Sequence, residues 1–121
     1  GLPLAERLLV VFDAGFAPVL ARPRLFVFIL TYLPTLGLSP MAQALERALA
    51  DEVRRVIDEH RHELTGVDSR LISIAVVGAS RGALLALAHH APETLDEPGD
   101  VRDVIRSLVL GVLHAHQRPE T

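Results

Sequence analysis

The sequence predicts an all-α fold, a five-helix bundle whose last two helices are expected to be covered by a second copy. Apolar residues recur at helical spacing in five segments separated by short, proline- and glycine-marked joints. The last two segments are apolar on nearly every face, whereas a helix that only leans on its own core shows one apolar stripe and one polar face. In Ser69–His90, Leu71, Ile72, Ile74, Val76, Val77, Leu84, Leu85 and Leu87 go right round the cylinder, with Arg70 and Arg81 the only formal charges. In residues 100–116, Val101, Val104, Ile105, Leu108, Val109, Leu110, Val112 and Leu113 do the same after a polar first turn. A chain of 121 residues has too little protein to cover both, so another copy is expected to do so.

The elements follow in order. Leu4–Ala21 sets Leu8, Val11, Phe12, Phe16, Val19 and Leu20 at helical spacing against Glu6, Arg7 and Asp13, with Pro18 expected to kink or end the helix. Arg22, Pro23 and Arg24 form a joint, and residues 25–33 are a second helix. Pro34 to Leu38 closes it, and Ser39 is expected as the N-cap of a third helix with Pro40 at its first position. That helix, residues 41–64, buries Met41, Leu45, Leu49, Val53, Val56, Ile57 and His60. Its wet face pairs Asp51 with Arg55, Arg54 with Asp58 and Arg55 with Glu59, four residues apart. Gly66 stops it and Asp68 caps the fourth helix, Ser69–His90. Residues 71–77 alone would also read as a buried strand, but their continuation to His90 favours helix. Residues 92–99 are an acidic connector, and Asp100 with Asp103 makes a capping-box-like start to the fifth helix.

Composition sets the outer bounds. Residues 1–121 are one domain, long enough to bury about two thirds of the unfolded surface. Half the residues are apolar, which excludes disorder. The net charge is −3, all twelve cationic residues are Arg, and no basic run occurs, so the chain carries no nucleic-acid footprint. It has no Cys, hence neither a disulfide framework nor a thiolate site, which fits a cytoplasmic setting. No secretory signal is read at its start. The uncharged run 25–45 is broken by Pro34, Gly37 and Pro40, so no membrane partner is expected there.

Two motifs invite chemistry. Gly78, Ala79, Ser80, Arg81 and Gly82 match the G-x-S-x-G nucleophile elbow, and chain order permits Asp100 or Asp103 and then His114 as partners. An α/β-hydrolase needs further strands and crossovers between nucleophile, acid and base, each crossover taking about a dozen residues or more. The chain beyond Ser80 reads as one loop and one helix. The favoured reading is that Gly78 and Gly82 let a second helix approach closely while Ser80 bonds back to its own helix, so no catalytic residue is assigned. The histidines form three close pairs, His60 with His62, His89 with His90, and His114 with His116. Residues one or two apart on a helix point in different directions, so none is a chelate, and each pair suits carbonyl capping near a helix C-terminus. No metal site and no cofactor are expected.

The aromatic residues Phe12, Phe16, Phe26, Phe28 and Tyr32 all lie in the first two helices. Core packing is the leading reading, and a cavity for an apolar ligand is the alternative. Its lining would be Phe12, Phe16, Phe26, Tyr32 and Met41, with Tyr32, Thr31 and Thr35 supplying the few polar groups. The dimer seam is expected at Gly78, Gly82, Leu85, Val104, Leu108 and Val112.

One resemblance covers nearly the whole chain. Arg22, Pro23, Arg24 and Leu25 open an apolar helix, and a long charged helix follows Ser39 and Pro40. The run from Val76 to Leu85 then leads through an acidic loop to a final helix ending near Leu110 to Leu113. This order resembles the C-terminal regulatory domain of TetR-family transcriptional regulators. The resemblance implies an effector bound among the middle helices and dimerisation in which the last two helices pair with those of a second copy as an intersubunit four-helix bundle. It also implies a repressor that reaches DNA only through an N-terminal helix-turn-helix, which is absent from these residues, so the chain is expected to be a fragment that does not itself read DNA. Two rivals stand beside this reading: a serine hydrolase fragment using Ser80, and a purely structural dimerisation module.

Overall fold

Five α-helices make up most of the computed structural model, which describes residues 3–66 and 68–117. They are α1 (Leu4–Ala21), α2 (Pro23–Tyr32), α3 (Ser39–Glu59), α4 (Ser69–His90) and α5 (Pro98–His116), with 3₁₀ turns at Arg61–Glu63 and Pro92–Asp96. No strand forms among the described residues. Residues 71–77 are helix, and the one sheet-like contact is an antiparallel bridge between Leu64 and Gln117. The Thr65 amide reinforces it by donating to His116 O at 2.9 Å, tying the α3–α4 turn to the end of α5.

The helix ends test the cap assignments individually. Asp68 caps α4 through its carboxylate, which accepts from the amides of Arg70 at 3.0 Å and Leu71 at 3.2 Å. Ser39 is not an N-cap: Leu38 occupies that place, Ser39 and Pro40 begin the helix itself, and no side chain caps it. Nor do Asp100 and Asp103 form a capping box, because Pro98 starts α5 two residues earlier and puts Asp100 inside the first turn. There its charge still meets the positive end of the helix dipole. The third helix ends at Glu59, short of the expected 64, and Gly66 (φ +46°) sits beyond the 3₁₀ turn. Pro18 does not end α1, which runs on to Ala21. It lies close to the C-terminal end, and Pro18 O and Val19 O still accept from the Arg22 amide.

The core is built from one stripe of each long helix. Leu4, Leu8, Phe12, Phe16 and Val19 of α1 meet Ala50, Val53, Val56 and Ile57 of α3, and Val76, Val77 and Leu84 of α4. Val101, Ile105, Val109 and Leu113 of α5 close the cluster with Leu64 and Leu95. The spacing of three and four residues is what a single buried helical face demands. α3 packs on α4, α5 packs on α1 and α4, and α1 packs on α3. α2 contributes less: only Pro23 is fully buried, while Phe26, Val27 and Leu30 lean on the cluster from outside.

Candidate functional site

α4 has three distinct faces. Its inner face carries Ser69, Ser73, Val76, Val77, Ser80 and Leu84, all buried. At about 100° per residue, Leu71, Ala75, Gly78, Gly82 and Ala86 fall on a line directed away from that face. Leu71 is 56% exposed, Ile74 is 51% exposed, and Ala75, Gly82 and Ala86 are exposed as well. No charge interrupts the outer line, since Arg70 and Arg81 lie on the side toward α3. An 18-residue window of this helix has a mean hydropathy of 1.9, yet only 28% of it is buried. By length and composition α4 is the one helix among the described residues that could cross a bilayer.

The expected seam residues border this face unequally. Gly82 is exposed, whereas Gly78, Leu85, Val104, Leu108 and Val112 are half-buried, Val112 against the core. Val104 and Leu108, with Asp103 and Ser107, line a shallow hollow on α5. A Cβ added at Gly78 or Gly82 would meet nothing within 4 Å, so no other helix of this chain uses the room these glycines leave. Close approach occurs instead at Gly15, where a Cβ would lie 2.8 Å from Leu49 Cδ1 as α1 crosses α3. An isolated glycine inside the apolar pattern of α1 was the available signal.

The aromatic residues divide by face. Phe12 and Phe16, four apart, are buried in the core with rings nearly parallel at 5.9 Å. Phe28 and Tyr32, also four apart, project outward with ring centroids 4.7 Å apart, Tyr32 being 47% exposed. Phe26 is half-buried and Met41 is 53% exposed. The five side chains expected around one ligand thus comprise two core residues, one flanking residue and two surface residues.

A groove of about 470 Å³ opens instead between α3 and α4. Its floor is Ala50, Ser73, Val77 and Gly78, with Ile74 as an apolar wall. Four arginines line it, Arg47 and Arg54 from α3 and Arg70 and Arg81 from α4, against the carboxylates of Glu46 and Asp51. Arg81 Nε stands 3.1 Å from Glu46 Oε1 as an ion pair, and that buried oxygen has no hydrogen-bond partner. Arg54 is held only loosely, 3.8 Å from Asp58. The sequence pairing of Asp51 with Arg55 does not form: Arg55 joins Glu52 and Glu59, leaving Asp51 at the groove.

The remaining polar groups are structural in geometry. Ser80 lies mid-helix, fully buried, and its hydroxyl donates to Val76 O at 2.9 Å, as Ser73 does to Ser69 O at 2.6 Å. The Gly78–Gly82 stretch is continuous helix, without the strand-to-helix turn that exposes an elbow nucleophile. His60 Nδ1 lies 3.1 Å from Val56 O in the last turn of α3 and 3.4 Å from Arg7 Nη1. No group of three or more metal-ligating side chains converges among the described residues. Asp13 accepts from Arg102 Nη2 at 2.7 Å and Arg106 Nη1 at 3.1 Å, joining α1 to α5. The Arg102 hydrogen bonds, then the charges of both guanidiniums, hold its carboxyl below the usual aspartate range despite partial burial. Comparison of the chain with known protein families, curated proteins and solved structures finds no match.

Proposed function

We propose that the chain is the regulatory and dimerisation half of a ligand-responsive transcriptional repressor, resembling the C-terminal domain of TetR-family regulators. In this reading α4 and α5 join those of a second copy as a four-helix bundle. The observation that supports it is the outer line of α4, where Leu71, Ala75, Gly78, Gly82 and Ala86 form an uncharged surface with no helix of the same chain upon it. Water contact over such a face is unfavourable, and small residues suit a backbone that approaches closely. A specific two-fold interface buries about 800 Å² per copy, roughly a tenth of the 7472 Å² the single chain exposes.

The effector in this reading is a small, mainly apolar molecule held at the aromatic end of the bundle. Phe12 and Phe16 close that end from within, so a ligand must part α2 from α1 to reach them. The switch is then a population shift, in which the effector favours one arrangement of the bundle and changes the spacing of two DNA-reading heads.

The test joins the chain to a heterologous helix-turn-helix head that occupies its operator only as a dimer, with light scattering on the isolated chain alongside. Repression in the fusion and a dimeric mass at micromolar concentration are expected. A monomeric mass with no repression overturns the reading, and a chain that stays in solution only with detergent assigns the α4 face to lipid instead.

A further inference from the structure

The geometry points to a second binding site, distinct from the aromatic end: the α3–α4 groove takes an elongated α,ω-dicarboxylate, with one carboxylate at Arg47 and Arg81 and the other at Arg54 and Arg70. The proposal concerns binding alone and does not depend on the repressor reading.

Three observations carry it. The first is charge: the chain as a whole is net negative, yet this groove gathers four arginines against two carboxylates. The second is availability. Among the described residues only Arg22, Arg47 and Arg70 of the arginines make no ion pair, and two of these three line the groove. Arg54 is paired at the long distance of 3.8 Å, and Arg81 meets Glu46 in an ion pair that satisfies no hydrogen bond of the buried Glu46 Oε1.

The third is layout. The Arg81–Glu46 contact marks the antiparallel register of α3 and α4, with Arg47 toward the Arg81 end of the groove and Arg54 toward the Arg70 end. Arg47 and Arg54 are seven residues apart on α3, about 10.5 Å, and Arg70 and Arg81 eleven apart on α4, about 16.5 Å, a pair of spans that brackets the length of an extended ten-carbon dicarboxylate. Between the two ends the floor is Ala50, Val77 and Gly78 and the wall is Ile74, which suits a polymethylene chain. Asp51, midway along α3, disfavours an anion at the centre and so favours charge at the ends.

The test is isothermal titration of the whole chain with sebacate, octanoate and succinate at low ionic strength, repeated on Arg47→Gln, Arg70→Gln and the double variant. Sebacate should bind at least tenfold more tightly than either of the others, and each substitution should weaken it about tenfold by removing a charge-assisted hydrogen bond. The substituted side chains are solvent-exposed, and circular dichroism checks that the fold is kept. Equal affinity for the three acids, no detectable sebacate binding, or unchanged binding in the double variant overturns the proposal. A monomeric chain that binds sebacate in this pattern leaves it standing and removes only the repressor reading.

Discussion

Replacing Gly82 by alanine asks what lies on the outer face of α4, because the single chain and an assembly respond in opposite directions. In the chain alone, a Cβ at Gly82 meets nothing within 4 Å, and the residue sits in the interior of a 22-residue helix. Alanine there should stabilise the monomer by about 0.5–1 kcal/mol through the smaller backbone entropy lost on folding. For a chain of this length that is a rise in Tm of about 2–6 °C. In a two-fold seam the same methyl enters twice, between backbones that glycine had allowed together, and overpacking of this kind costs about 1–3 kcal/mol. The dimer should then dissociate more readily, with its Kd raised roughly tenfold or more. Sedimentation equilibrium reports the association, and thermal unfolding at a concentration where the dimer has dissociated reports the monomer. Gly82→Arg, which adds an unpaired charge at the seam, should abolish association while leaving the helix intact. If both variants associate as tightly as the parent chain, Gly82 is not at the seam and the reasoning from the outer line fails.

Phe12→Ala should cost about 3–5 kcal/mol in urea unfolding, because the ring is buried in the core beside Phe16, whereas Tyr32→Phe should change stability by less than about 0.5 kcal/mol. Comparable losses in both would mean that the two ends of the aromatic set are not divided by face. Asp13→Asn should remove up to about 1 kcal/mol, the upper range for a partly exposed ion pair. Because the folded carboxyl titrates below its unfolded counterpart, this contribution is complete above the ordinary aspartate range and fades as acid is added below about pH 4. Unfolding curves of the two proteins should therefore converge in acid, and a gap that widens there would contradict the assignment.

Helix number and order were legible because a stripe of apolar residues every three or four positions has one economical reading. The ends were less so. Ser39 and Pro40 carry the composition of an N-cap and first turn, but the cap position falls one residue earlier, at Leu38, and nothing in local chemistry registers that shift. The division of the aromatic residues by face was hidden for a related reason. Phe12 and Phe16 share spacing with Leu4 and Leu8 and so belong to the core stripe of α1. Phe28 and Tyr32 have the same spacing on a helix too short and too apolar for pattern to separate its faces. The arginine groove was invisible in sequence because Arg47 and Arg54 come from one helix and Arg70 and Arg81 from the next. Only the packing register of the α3–α4 pair, at which Arg81 meets Glu46, brings them to one place.

The same helix pair explains why α4 looked apolar all round while being mostly unburied. The inner face of α4 uses serine at 69, 73 and 80 among Val76, Val77 and Leu84, and small side chains there let neighbouring helices pack closely. Ser73 and Ser80 satisfy their hydroxyls on carbonyls four residues back, so burying them costs little. With polar residues inside and Leu71, Ile74 and glycines outside, the usual contrast between a helix's two faces is nearly erased, and hydropathy alone cannot say which side the core takes. That inversion has a mechanical consequence. Ile74 and Gly78 line the groove and also border the outer line, so a ligand seated against them touches the helix that a second copy would grip. Any coupling between the two events must be reciprocal, each shifting the other's affinity by the same factor, and must come from a difference in contact with α4 between its arrangements.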